Sequence, residues 1–276
     1  MNISVHILQP LASGGNGELY IGRRLDDGQL VVVKYLREYQ NINARKAFVR
    51  EVKVLARKLS GLIQLVAANV NAEVPYYVMP YLTGGSLEPY AGRLTEDQLI
   101  AVASQVGSTL SSLHAGAVFH GDVKPANVLV SHDGRLQVAD PLGNGGGCTM
   151  LFSHHHGGTP GYWAPEVSAG GEISCAGDVY SFGAMLYELL TGQKPRDGQD
   201  LASLVEGNLS KIAEIITACC QFAADARPTM QEVLRLLSGE RWGDISEARR
   251  RSRTFWTTAA CVVGAVLVGA ALTSED

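Results

Sequence analysis

Apolar positions recur at two different periods along this chain. Residues 3–9 alternate loosely between apolar and polar, which predicts a strand. Residues 19–23 and 29–35 predict two more, joined at Asp27-Gly28, a dipeptide that supplies the positive φ of a tight hairpin. Residues 43–59 switch to helical spacing, with Phe48, Val52, Leu55 and Leu59 on one face. Residues 62–70 and 75–82 return to strand-like runs. After Gly84-Gly85 the pattern becomes helical. Residues 95–115 open on Thr95-Glu96-Asp97-Gln98, a capping-box start, and run amphipathically to His114. Further helical patterns lie at 176–191, 209–222 and 229–238, and the Gly- and His-rich stretch 143–158 reads as a mobile loop. The prediction is an α+β chain: a strand-rich lobe over residues 1–82 and a mostly helical lobe over 83–240, without internal repeats.

One run fits neither lobe. Residues 255–272 (FWTTAACVVGAVLVGAAL) hold no charge over 18 positions, which as a helix is about 27 Å and near the minimum for spanning a bilayer. Trp256 sits at its edge, and Arg249, Arg250, Arg251 and Arg253 stand just before it. An aromatic rim and positive inner flank predict one transmembrane helix with residues 1–254 cytoplasmic. Residues 241–254 then form a basic juxtamembrane linker, and only 273–276 cross, which leaves no room for an external sensor on that side.

Composition adds limits. The formal net charge is −4, which disfavours a broad nucleic-acid-binding face. Residues 241–253 carry a local +3, from five arginines against Asp244 and Glu247. The hydrophobic share of 46% supplies ample core and excludes a disordered chain. Five cysteines without CxxC spacing fit neither a disulfide framework nor a zinc ribbon, and read as reduced thiols.

Candidate chemistry begins at 12–20 (ASGGNGELY), a glycine-rich turn between two strands where backbone N–H groups can approach phosphate. Lys34 ends an apolar strand, and Glu51 lies mid-helix; as a pair they could position phosphates or be ordinary surface charges. HGDVKPANVLV at 120–130 puts Asp122, Lys124 and Asn127 on one short segment: a proton acceptor, a phosphate-meeting ammonium and an amide oxygen for Mg²⁺. Asp140 follows in LQVADPLG, then GTPGYWAPE (158–166), DVYSFG (178–183) and DARPT (225–229).

In order and spacing these motifs resemble the catalytic domain of eukaryotic-like Ser/Thr protein kinases, over about residues 7–238. The resemblance implies a bilobal kinase-like α+β fold, here with one C-terminal transmembrane helix. It implies ATP with Mg²⁺, or Mn²⁺ in its place, and protein substrates with Ser or Thr acceptors. By position, Ala12, Gly14, Gly17 and Leu19 would close over the nucleotide; Lys34 would contact its phosphates and pair with Glu51. Met79 would be the gatekeeper, and Pro80 to Leu82 the hinge that meets adenine. Asp122 would be the catalytic base, Lys124 would steady the γ-phosphate, and Asn127 and Asp140 would hold the metal. Thr159 would face the acceptor hydroxyl. Glu166 with Arg227, and Asp178 beneath the catalytic loop, would be structural.

Four positions depart from the family pattern: Ala12 for the first loop glycine, Gly121 for the arginine of HRD, DPLG (140–143) for DFG, and Pro80 for an acidic hinge residue. Losing the HRD arginine makes activity less dependent on loop phosphorylation. DPLG leaves two registers open: Leu142 replaces glycine, or one residue is inserted and Leu142 takes the phenylalanine role. Thr149, Ser153 and Thr159 are candidate autophosphorylation sites, and His154, His155 and His156 read as solvated loop. The leading expectation is an active Ser/Thr kinase at the cytoplasmic face of a membrane, where confinement favours self-association and trans-autophosphorylation. The alternatives are a membrane-anchored pseudokinase scaffold, motivated by Gly121 and DPLG, and a small-molecule phosphotransferase of related fold.

Overall fold

The hairpin at Asp27-Gly28 forms as the dipeptide requires, with Gly28 at φ +73° and the Gly28 N–H donating to the Arg24 carbonyl at 3.0 Å. A computed structural model describes residues 3–13, 17–142, 161–208 and 210–250, and around this hairpin it builds an antiparallel five-stranded sheet. The strands are β1 (Val5–Ser13), β2 (Gly17–Arg24), β3 (Leu30–Leu36), β4 (Ala67–Asn69) and β5 (Tyr76–Pro80), in the order β1-β2-β3-β5-β4. Helix α1 (Ile42–Leu55) follows β3; the Asn41 side chain caps it by accepting from the N–H groups of Asn43 and Ala44. Its buried residues are Phe48, Glu51, Val54 and Leu55, so one carboxylate lies among the apolar ones.

Two of the boundaries that differ from the pattern-based expectation lie close together in the chain. The helix expected over 43–59 stops at Leu55, and Lys58 enters the left-handed region at φ +53°. The strand expected over 62–70 shrinks to Ala67–Asn69. The reason is shared: Leu62 and Ile63 are 1% and 0% exposed, and the Ile63 N–H donates to the Val138 carbonyl at 2.9 Å. This apolar run is held against Val138, far along the chain, instead of extending an element.

The second lobe is helical, as expected. Helix α2 (Glu96–Ala115) has the full capping box between Thr95 and Gln98, and buries Leu99, Val102, Val106, Leu110 and Leu113. A short hairpin, β6 (Val128–Val130) and β7 (Leu136–Val138), packs against α2. Then come α3 (Pro165–Ser168), α4 (Cys175–Thr191), α5 (Leu201–Leu204), α6 (Lys211–Cys219) and α7 (Met230–Leu237). Helix α4 is buried almost throughout and serves as the lobe's axis. Fully burying one of its leucines contributes about 1.5–3 kcal/mol, so the lobe is anchored here.

Residues Met1–Leu237 form one compact unit, and Ser238–Asp276 a second. Within the second, residues 242–250 are helical where a linker was expected, in keeping with the helix-forming Glu, Ala and Arg of that stretch. Among the described residues no helix is long and apolar enough to cross a membrane. The span expected at 255–272 lies outside them, as do the loop at 143–158, its three histidines and the candidate phosphorylation sites.

Candidate active site

Strand alternation decides where Lys34 points. Val31 and Val33 join Val78 in one apolar cluster, which sends Val32 and Lys34 to the opposite face of β3. There the ammonium is 3% exposed, within 2.7 Å of Glu51 Oε1 on α1 and 3.0 Å of Asp140 Oδ1 beyond β7. Burial alone would lower the Lys34 pKa, but the charges of Asp140 and Glu51 outweigh it and hold it above its ordinary value. Burial raises the Glu51 carboxyl despite Lys34. For Asp140 burial pushes upward too, yet the Lys34 charge and hydrogen bond prevail and keep it below its ordinary value. Gly17 closes this floor: a Cβ there would meet the Tyr35 carbonyl at 2.7 Å and Lys34 Cγ at 3.2 Å.

Asp140 is itself held in an uncommon conformation, φ +58°. Neighbours fix it on both sides: the Ala139 N–H donates to the Asn127 carbonyl at 2.8 Å, and the Leu142 N–H to the His120 carbonyl at 2.7 Å. The His120 ring nitrogen Nε2 meets the Ala139 carbonyl at 2.9 Å. Pro141 is buried and Leu142 half-buried.

The loop bearing Asp122 is organised from beneath by Asp178 on α4. This carboxylate is 1% exposed and accepts from the backbone N–H groups of His120 at 2.6 Å and Gly121 at 2.7 Å. Its Oδ2 also meets His114 Nε2 at 2.9 Å. Gly121 stands at φ +84°, and a Cβ there would lie 3.2 Å from Leu142 Cδ1. Above this brace, Asp122 Oδ2 takes the Lys124 ammonium at 2.7 Å and the Asn127 Nδ2 amide at 2.8 Å. Asn127 Nδ2 also donates to the Asp122 carbonyl, which fixes its Oδ1 as the remaining acceptor.

A second ion pair sits further down. Arg227 donates to both oxygens of Glu166 at 2.7 Å, and stacks over the Tyr180 ring at 5.1 Å. Burial would raise the Glu166 carboxyl, but the Arg227 hydrogen bond holds it below its ordinary value.

The residues singled out from sequence therefore gather in three groups: Lys34, Glu51 and Asp140; Asp122, Lys124 and Asn127 over Asp178; and Glu166 with Arg227. Ala12 pairs with Leu19 across β1 and β2, Met79 is buried opposite Val32, and Leu82 follows β5 half-buried. Gly14 and Thr159 lie outside the described residues. Sequence reasoning missed Tyr77, whose hydroxyl donates to Glu51 Oε1 at 2.7 Å and lies 3.3 Å from Asp140 Oδ1. The one available signal was its register: Tyr77 is the cross-strand partner of Lys34.

Known proteins resemble this chain over most of its length. The protein kinase domain family matches residues 5–244. Serine/threonine-protein kinase AfsK of Streptomyces coelicolor is 30% identical, over 87% of this chain and 32% of its own length. Serine/threonine-protein kinase PrkC of Bacillus subtilis is 29% identical, over 72% of this chain and 32% of its own. Wall-associated receptor kinase 3 of Arabidopsis thaliana is 30% identical, over 84% and 36%. The chain spans about a third of the length of these curated relatives.

Proposed function

The chain belongs to the protein kinase family, and from that premise we propose that it transfers the γ-phosphate of ATP to serine and threonine hydroxyls of proteins. The observation that carries this reading is the convergence of Lys34, Glu51 and Asp140 beside a braced Asp122 and Asn127. A pseudokinase scaffold has no need of that convergence.

The donor set fits a hard divalent cation. Among the described residues no hydrogen bond reaches Asp140 Oδ2 or Asn127 Oδ1, and both are oxygens suited to Mg²⁺, with Mn²⁺ as a substitute. When bound, the ion supplies charge neutralisation between the phosphates. Lys34 binds and orients phosphate oxygens. Asp122 holds the acceptor hydroxyl and takes its proton at the carboxylate oxygen left over from Lys124 and Asn127. Lys124 balances charge beside it. Pro80 has no N–H, and the Tyr81 N–H is spent on the Leu30 carbonyl at 3.2 Å. The Leu82 N–H is thus the hinge donor for an adenine edge. Gly121 leaves no arginine to receive a loop phosphate, so the site works without one.

The Ser/Thr choice rests on the residue motifs KPAN (124–127) and GTPGY (158–162). The proposal includes a membrane location through residues 255–272, supported by the uncharged run behind the arginine cluster, and trans-autophosphorylation between copies so confined. The test is phosphate incorporation into a basic protein substrate with Mg²⁺·ATP, comparing wild type, Lys34→Met and Asp122→Asn. Asp122→Asn should lose at least about a hundredfold in kcat and Lys34→Met at least about a hundredfold in kcat/KM for ATP, while both remain folded by circular dichroism. An inactive wild type that binds nucleotide would favour the scaffold reading.

A further inference from the structure

The hydroxyl of Tyr77 has no part in the reading above, yet it sits at the centre of the charged cluster. Tyr77 is 0% exposed, and its ring packs against Phe48 at 5.4 Å between centroids. An apolar side chain would fill that place without the cost of burying a polar group. The hydroxyl instead donates to Glu51 Oε1 at 2.7 Å, the same oxygen that Lys34 contacts at 2.7 Å. It also lies 3.3 Å from Asp140 Oδ1, the same oxygen that Lys34 contacts at 3.0 Å. The Lys34 ammonium stands 5.6 Å from the centre of the Tyr77 ring. Two donors thus share two carboxylate oxygens, from four separate segments of the chain.

We propose that Tyr77 is a positioning residue for the nucleotide-binding lysine: its hydroxyl shares the buried Glu51 oxygen, and so sets Lys34 between Glu51 and Asp140 with one N–H left for phosphate. The inference rests on the kinase reading of the site. The physics is a matter of counting donors. An ammonium has three N–H groups, and among the described residues two are spent, one on each carboxylate. Glu51 is buried and must be satisfied. With the tyrosine hydroxyl supplying one bond, Lys34 need not turn further toward Glu51 to satisfy it. Without that bond, the lysine is drawn deeper against Glu51 and away from the nucleotide. Because Lys34 meets phosphates in ground and transition states alike, the loss should appear as weaker nucleotide binding, not slower chemistry.

The experiment uses the full chain and measures both the dissociation constant of a fluorescent N-methylanthraniloyl ATP with MgCl₂ and the steady-state KM and kcat for ATP. Tyr77→Phe keeps the ring and removes only the hydroxyl. It should raise the dissociation constant and KM about fivefold, with kcat changed less than about twofold. Tyr76→Phe, which removes a hydroxyl from the same strand outside the cluster, should change neither. In a Glu51→Met background, whose fold is checked by thermal melting, Tyr77→Phe should have less than about a twofold effect, because the bond's partner is already gone. Wild-type affinity in Tyr77→Phe, or an undiminished fivefold loss in the Glu51→Met background, would overturn the proposal. The kinase reading fails separately. A wild type that transfers no phosphate, or transfer that survives Asp122→Asn, would sink that reading while the binding constants still report on Tyr77. Absence of nucleotide binding in the wild type would overturn both.

Discussion

Lys34 and Arg227 are both cations buried against carboxylates, 3% and 1% exposed, and they differ in how completely they are satisfied. Arg227 has five N–H groups and spends five bonds: two on Glu166 and one each on the carbonyls of Ala176, Gln221 and Phe222. Nothing remains for a ligand, and the residue ties α3, the start of α4 and the segment before α7 into one body. Among the described residues Lys34 spends two of its three donors, on carboxylates from two segments far apart in the chain. A saturated buried cation locks a fold. One with a donor to spare is placed to meet something else, which the proposed function takes to be a phosphate.

Breaking each cation in turn should separate these roles. Arg227→Met strips Glu166 and three carbonyls of their partner at once, and should cost about 3–5 kcal/mol in urea-unfolding free energy. Lys34→Met should cost less, about 1–2 kcal/mol, because Tyr77 still donates to Glu51 and the Asp140 side chain is 33% exposed. Equal losses would undo the distinction. Gly121→Ala forces a Cβ into a left-handed position facing Leu142, and should cost about 1–2 kcal/mol in the same assay. The smallest effect concerns pH. The folded Glu166 pKa is depressed below 4.5, so its pairing contributes fully above that value and is lost as pH falls through the depressed one. The stability gap between wild type and Glu166→Gln should shrink as pH drops below 4.5, by no more than about 1 kcal/mol. A gap that widens in acid would contradict the pairing.

Much of this site could be read along the chain because its signals are local. Asp122, Lys124 and Asn127 fall within six residues, and short spacing fixes their mutual reach once a turn forms. The hairpin at Gly28 and the capping box at Thr95 are written in neighbouring residues in the same way. The failures were equally physical. Leu62 and Ile63 are apolar and strand-like, but what they bury against is Val138, more than seventy residues away. Tyr77 reads as one more aromatic in an apolar strand. Its hydroxyl's partners lie 26 and 63 residues off, and no periodicity announces a hydrogen bond across that distance.

By itself, then, the sequence determined most strands and helices, though not all their ends, and the kinds of reacting group, since propensity, capping and motif spacing act over a few residues. Tertiary structure alone decided which oxygen each buried donor meets. It brought Lys34 to Asp140 across 106 residues, gave Arg227 all five of its bonds and made Tyr77 a neighbour of two carboxylates. The reason is that a buried polar group must find a partner, and which one it finds depends on packing between elements, not on order along the chain.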